Sequence, residues 1–536
     1  MTTAGLDRED LELILQTLKD LGRDLITDEK CLQWDEEDIL PMEVIRRMLS
    51  PDVGLHLVFL PEDCGGLGGG AHDIYRVSEE MARLDLGIAT AFLAIALGSD
   101  PLRVGATDEQ RQRWLGRVAE QGLIVAYGVT EPEAGSNVAS LKTVAEPVLE
   151  GERVVAYRIN GTKQFISNGS VADLFTILAK TPGGPSFFVV EQGAPGLTAG
   201  RMEVKHGIRS SNTAQVILED VLVPADQLIG LEEGKGLLQA NEVFGFTRLM
   251  VAAFGLGGGE AAMQRAIAYS RERKQFGKLL CAHRGFTHKL IVPHMVRLEA
   301  SRSYIEEVAA RLDSGEPGLQ TEGSIAKLYA TETGNAAAEA AIQAHGGYGY
   351  TREYLVEKIK RDVRITTIYE GTSEIQQSII YLYRFKQNLK SRGALYDEHA
   401  ARLSDLTSAG VGAELVARAT RALGHTLTTL HQLKVSRAQH VQFELALRIT
   451  EVEHANAFCR RAARLEVEGI RAACRLFAAE AATNLAVSGV RLLAAAGMEP
   501  QVMQDYRQAI DFDQLITTAI GSDADRDAVV QWVLQD

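Results

Sequence analysis

Five short segments carry residue types that can do chemistry. In IYEGTSEIQQ (368–377) a carboxylate, Glu370, stands between a tyrosine and a Gly-Thr turn, directly before a helical run. A carboxylate there can serve as a base, or it can simply favour the positive end of the helix. YGVTEPEAGSNVASLKTVAE (127–146) opens as a strand and becomes rich in glycine and hydroxyls. Such a loop offers N–H and O–H groups to the polar edge of a ring system or to a phosphate. YRINGTKQFISNGSVAD (157–173) has a hairpin pattern with an aromatic residue, Phe165, followed by Ile166 and Ser167. RERKQFGKLL (271–280) puts Arg273, Gln275 and Phe276 at the end of a helix. In QAHGGYGYTREYLVEKIKRDVR (343–364) a Gly-Gly-x-Gly run closes a helix and permits close backbone approach. Taken singly, each has an ordinary reading: a turn, a core phenylalanine, a solvated basic face.

The elements that position these segments change texture twice. From Leu11 to about Glu120 apolar residues recur every three or four positions, as in LELILQTLKDL and AHDIYRVSEEMARL, which predicts amphipathic helices. LPEDCGGLGGG (60–70) interrupts them. From about Leu123 to Leu222 short β-branched and aromatic runs predict a compact β domain: VVAYRI (154–159), LFTILA (174–179), SFFVV (186–190) and AQVILEDVLV (214–223). Helices resume at about Gly236 and continue to the end. Helix, sheet and helix again predict an α+β chain with its β domain between helical layers. AKLYATETGNAAAEAAIQAHGGYG (326–349) is echoed 148 residues later by CRLFAAEAATNLAVSGVRLLAAAG (474–497), which points to a partial duplication.

Composition narrows the function. The 536 residues are 46% apolar and 24% charged, with 56 Lys+Arg against 71 Asp+Glu and a net charge of −15. An acidic chain argues against nucleic acid and anionic membranes as partners. Cys31, Cys64, Cys281, Cys459 and Cys474 are scattered, without CxxC, so neither a disulfide framework nor a metal site is expected. The N-terminus is too acidic for a transit peptide, and no apolar run of about 18 residues predicts a spanning helix. A cytoplasmic location is the expectation. GLGGGE (255–260) sits in a helical stretch and reads as close helix packing rather than a nicotinamide site.

In this order and spacing the segments resemble the acyl-CoA dehydrogenase family. LPEDCGGLGG (60–69) is similar to its PExxGG motif, YGVTEPEAGSNVAS to its first signature, and NGTKQFISNG to its NGxKxWITNG hairpin. KHGIRSSNTAQVILEDVLVP (205–224), RERKQFGK, QAHGGYGYTREY and IYEGTSEIQ complete a series covering about residues 40–388. The resemblance implies an N-terminal helical domain (1–122), a middle β-barrel-like domain (123–232), a C-terminal four-helix bundle (233–388) and, here, an additional helical domain (389–536).

It also implies FAD. By motif Tyr127, Val129 and Thr130 would face the flavin ring edge and Ser136 the pyrophosphate. Phe165 would pack on the flavin, with Ser167 near N5. Arg273, Gln275, Phe276, Gln343 and Gly347 would reach the FAD of a neighbouring subunit. Thr372 and Glu374 match positions lining the diphosphate and adenosine end of FAD. The implied reaction is α,β-dehydrogenation of an acyl-CoA to a trans-2-enoyl-CoA, with hydride passing to flavin N5 and electrons to an electron-transferring flavoprotein.

The family's base occupies one of two places. Thr247 precedes Arg248 where the second place would need a glutamate, so Glu370 is the candidate, with Arg248 beside it. Phe244, Thr247, Tyr369 and Gly371 match substrate-contacting positions. Asn137, Phe165 and Gly245 depart from the family pattern and put the acyl specificity in doubt, and residues 81–100 are candidates to line the acyl pocket.

Two rivals stay open. One is an acyl-CoA oxidase using O₂. The other is a flavin-bearing scaffold associated with nucleic acid, or with membrane through Arg460, Arg461, Arg464, Arg471 and Arg475. The net charge and Glu370 oppose nucleic acid, and a solvated helical face is favoured over a lipid contact. The residues after 388 resemble the extension of the very-long-chain branch, which implies a homodimer rather than a tetramer.

Overall fold

The computed structural model describes residues 5–518 and 522–535, and only the main chain of residues 244–246. The chain divides into two compact units. The first comprises residues up to 258 together with 309–317 and 361–365; the second comprises 259–308, 318–360 and 366 onward.

In the first unit six helices precede the sheet: α1 (Arg8–Asp24), α2 (Asp28–Glu37), α3 (Met42–Leu49), α4 (Ala71–Leu84), α5 (Leu86–Gly105) and α6 (Asp108–Gln121). Their starts follow from side-chain caps. Asp7, Thr27, Asp85 and Thr107 each accept a backbone N–H of the first turn. The strands are β1 (Val125–Gly128), β2 (Val144–Glu150), β3 (Arg153–Ser167), β4 (Leu174–Thr181), β5 (Gly184–Glu191), β6 (Leu197–Met202) and β7 (Thr213–Pro224). They form one curled sheet in the order β1-β4-β2-β3-β7-β6, with β5 also on β4. The β-branched and aromatic runs of β4 and β5 are its most buried strands.

Helix α5 lies against the sheet, where Thr176 Oγ1 donates to Gly98 O at 2.9 Å. Most of the 81–100 stretch is therefore core. Among the described residues two helices, α5 and α16 (Glu468–Ala495), are long and apolar enough to cross a membrane, contrary to the sequence expectation of none. A few polar residues interrupt each, yet its average apolarity stays high enough to span. Of their most apolar windows, 78% and 56% respectively are buried inside the protein, as in helices that pack into a core.

Helix α7 (Gly236–Glu272) carries Thr247 and Arg248. The second unit continues with the hairpin β8 (Lys274–Gln275) and β9 (Lys278–Leu279), a short α8 (Arg284–Phe286), α9 (Val292–Asp313), α10 (Gln320–His345), α11 (Leu355–Val363) and α12 (Ser373–Lys390). The remaining helices are α13 (Ala394–Ala401), α14 (Ala413–Gln432), α15 (Gln439–Leu465), α16, α17 (Pro500–Ala509), α18 (Phe512–Thr517) and α19 (Asp523–Val533). The echo extends beyond one helix. α16 begins 148 residues after α10, α15 begins 147 after α9, and α19 begins 150 after α12. The echoed Tyr329 and Phe477 touch edge to face, with ring centroids 5.7 Å apart.

The added helices are bolted to the bundle by charge. Buried Arg384 of α12 donates to both Glu453 oxygens, at 2.7 and 2.9 Å, and to Glu322 at 3.0 Å. Burial alone would raise the Glu453 carboxyl, but Arg384 reverses this and holds it below the usual range. Arg460 pairs with Glu307, Arg461 with Glu299 and Glu306, and Arg464 with Glu306. Arg475 pairs with Glu468 and Asp525, and Arg471 lies 3.7 Å from Glu466. The basic stretch is thus an ion-pair seam rather than a bare cationic face.

Candidate functional site

In the first unit the loop after β1 is closed against β3. Gln164 N donates to Thr130 O at 2.8 Å, tying the loop to the strand at the point where β3 bulges. Lys163 Nζ reaches Val129 O at 3.4 Å. Glu131, also in the loop, accepts from Lys163 Nζ at 2.6 Å and from the N–H groups of Lys142 and Thr143 at 2.5 and 3.0 Å. One carboxylate therefore holds both ends of the loop 131–143. Burial pushes the Lys163 amine down to about 8, against the pull of Glu131.

At the bulge Phe165 takes φ 59° and turns its ring outward, leaving it 63% exposed. A large apolar ring held out on a strained backbone is costly unless something planar covers it. Tyr127 stacks on Phe187 with centroids 5.8 Å apart, Val129 is buried, Thr130 and Ser167 are half-buried, and Ser136 is exposed on the loop. Thr247 is buried and Arg248 half-buried on α7. The Phe244 side chain lies outside the described residues.

In the second unit, Arg273, Gln275, Gln343 and Gly347 line a single cleft of about 610 Å³. Gly346, at φ 62° and ψ −137°, takes a backbone conformation reserved for glycine and turns the chain off α10. His345 stacks on Tyr269 at 4.4 Å beneath it, and the Arg273 guanidinium lies 5.8 Å from the Tyr348 ring centroid. A basic, glycine-backed cleft of this kind suits a phosphate-bearing ligand. Phe276 stands apart from its lining, 95% exposed at the tip of the β8–β9 hairpin.

The third cluster is the turn before α12. Glu370 is half-buried at φ 54° and Gly371 follows at φ 92°. Thr372 caps α12, its Oγ1 accepting from Ile375 N at 3.4 Å, and Glu374 lies exposed in the first turn. Two buried residues hold the turn. Lys327 Nζ donates to Gly371 O at 2.6 Å, and Gln376 Nε2 donates to Glu370 O and Gly371 O, both at 3.0 Å. The sequence alone does not single out Glu131, Lys163, Lys327 or Gln376. Their only signal is a polar side chain set among small and apolar neighbours.

Three family descriptions match: the N-terminal domain of acyl-CoA dehydrogenase over residues 8–122, its middle domain over 126–221 and its C-terminal domain over 234–382. Cyclohexane-1-carbonyl-CoA dehydrogenase of Geobacter metallireducens is 36% identical over 377 residues, which is 69% of this chain and 96% of that protein. The caffeyl-CoA reductase-Etf complex subunit CarC of Acetobacterium woodii is 33% identical, over 69% of this chain and 97% of its own. An acyl-CoA dehydrogenase from Bacillus anthracis solved with FAD shares the fold over 99% of this chain and 95% of its own, with a TM-score of 0.85 at 23% identity. The fold after residue 388 therefore has a solved counterpart.

Proposed function

The chain belongs to the acyl-CoA dehydrogenase family of FAD-dependent enzymes, and we propose that it oxidises a saturated acyl-CoA to its trans-2-enoyl-CoA with Glu370 as the α-proton base. The residues present fit FAD. Phe165 offers an outward aromatic face, and the Gly346–Gly347 backbone opens onto the cleft of Arg273, Gln275 and Gln343. Tyr127, Val129, Thr130 and Ser167 would hold the ring edge, and Ser136 the pyrophosphate. Arg273, Gln275, Phe276, Gln343 and Gly347 would serve the FAD of a neighbouring subunit, and Thr372 and Glu374 the diphosphate and adenosine end. When bound, FAD supplies the acceptor for the substrate's β-hydride.

The chain's own residues supply the proton chemistry. The α-proton of a thioester becomes acidic when its carbonyl is polarised by hydrogen bonds. Glu370 then takes that proton on a carboxylate oxygen, and the α-carbon is left to form the double bond as the β-hydrogen departs. Arg248 would tune the base, while Thr247, Phe244, Tyr369 and Gly371 would orient the thioester arm. The observation that carries this reading is the turn itself: a glutamate at positive φ, fixed by buried donors immediately before a capped helix.

The electron acceptor we propose is an electron-transferring flavoprotein. CarC, named as a subunit of an Etf complex, supports it. The glycines at 255–260 lie inside α7, not at a strand-to-helix turn, so they lack the context of a dinucleotide-binding fingerprint. The test is anaerobic flavin bleaching with an acyl-CoA series from butyryl- to palmitoyl-CoA, then reoxidation by electron-transferring flavoprotein or by O₂. Rapid peroxide formation would make the protein an oxidase, and no bleaching with any thioester would sink the reading.

A further inference from the structure

We propose that Lys327 is a positioning residue for Glu370, holding the base through the main chain of its turn. The inference rests on the reading of Glu370 as the base. Glu370 and Gly371 are consecutive residues at positive φ, 54° and 92°. For the glutamate this conformation is strained, and it persists only where neighbours impose it. Among the described contacts, their two carbonyls accept two hydrogen bonds from Gln376 and the shortest, 2.6 Å, from Lys327 Nζ. Both donor residues are completely buried. The α10 lysine therefore makes the shortest of these ties, and it is the one that comes from outside the turn and its own helix.

The echo gives an internal comparison. The residue matching Lys327 is Arg475 on α16, and it pairs with Asp525 in the first turn of α19 at 2.7 Å. Both copies thus use a cation on the long helix to reach the start of the following one. In the copy without a base the cation meets a carboxylate, an ordinary ion pair. In the copy with Glu370 it meets the carbonyl of the next residue, where it fixes backbone direction. Ser373 Oγ adds a second tie to α10 through Glu332 at 2.5 Å.

The test replaces Lys327 by Met, which keeps the length and removes the donor, while Gln376 still serves Gly371 O. The full chain with FAD bound is assayed using the acyl-CoA of the panel that the wild type oxidises fastest. A displaced base loses the chemical step, so kcat is expected to fall about 100-fold with KM within about two-fold. The isotope effect on α-deuterated substrate is expected to rise. Unchanged kcat and isotope effect in flavin-loaded Lys327→Met would overturn the proposal. Where that variant does not retain flavin, Gln376→Met supplies the same readouts and the same criteria. Glu370→Gln separates the two claims. If it keeps wild-type turnover, the base is misassigned; if it is inactive while Lys327→Met is normal, only the positioning role fails.

Discussion

Lys163 and Glu131 form a 2.6 Å ion pair with almost no solvent on either side chain, 0% and 3% exposed. The pair joins the loop after β1 to the bulge that presents Phe165, so it stands between the two segments proposed to grip the flavin ring. Removing one partner of a buried pair leaves the other charge stranded and costs about 3–5 kcal/mol. Lys163→Met is therefore expected to unfold at a lower temperature and to bind FAD more weakly. Flavin release during gel filtration reads the second effect directly, and unaltered retention would show that the clamp is irrelevant to the cofactor.

The same pair sets an acid limit. Burial raises the Glu131 carboxyl, but bonds from Lys163, Thr143 and Lys142 outweigh it and hold the native value below the ordinary 4.5. In the unfolded chain the carboxyl protonates near that ordinary value. Between the two values the unfolded state binds more protons, so the stability that Glu131 contributes is present above 4.5 and is lost as pH falls through the native value. The stability gap between wild type and Glu131→Gln should shrink over that acid range and stay flat from about pH 5 to about pH 7. Urea titrations across the range measure it, and a gap that widens with acid contradicts the assignment.

Glu370→Gln keeps the shape of the turn and removes proton acceptance. Turnover is expected to fall by about 10²–10⁴-fold, the usual worth of a positioned general base. The yellow flavin spectrum should be retained, because the holding bonds run to main-chain carbonyls that the substitution leaves in place.

The division into helix, sheet and helix was legible because periodicity follows burial: β4 and β5 read as apolar runs and fold as buried strands. Arg273, Gln275, Gln343 and Gly347 are marked in the sequence only by the family motifs, since singly their segments read as a helix end and a basic face; the structure brings the four to one cleft. The buried partners were not legible. Lys163 meets a carboxylate 32 residues earlier and Lys327 a carbonyl 44 residues later, and periodicity says nothing about contacts of that range. Positive φ at Phe165 and Glu370 was equally hidden, because neither is a glycine and tertiary contacts impose the conformation.

Arg384 couples the bundle to the added helices, so Glu453→Ala should destabilise the protein by about 3–5 kcal/mol, leaving a buried guanidinium without its bidentate carboxylate. A double variant, Arg384→Met with Glu453→Leu, should recover much of that loss, since an apolar pair of similar volume avoids desolvating charge. Chemical denaturation of the single and double variants measures the coupling. Equal losses in both would mean that packing, not charge, holds the helices together.

The expected oligomeric state follows from the same seam. Here α9 and α12 carry α15 through Glu299, Glu306, Glu307 and Arg384, so this part of the bundle is covered by the chain's own added helices. A face already occupied by its own chain is closed to a second dimer, while the exposed hairpin tip at Phe276 remains available to a neighbour. The expected particle is a homodimer of about 117 kDa, twice the 58.3 kDa chain. Substituting Arg460 and Arg461 by Glu sets like charges against Glu299, Glu306 and Glu307 and should loosen the added helices. The variant should then associate further or aggregate as the bundle face opens. Light scattering separates the cases: a wild-type mass near twice that of the dimer would rule the dimer out, and an unchanged mass in the charge-reversal variant would show that the seam does not govern assembly.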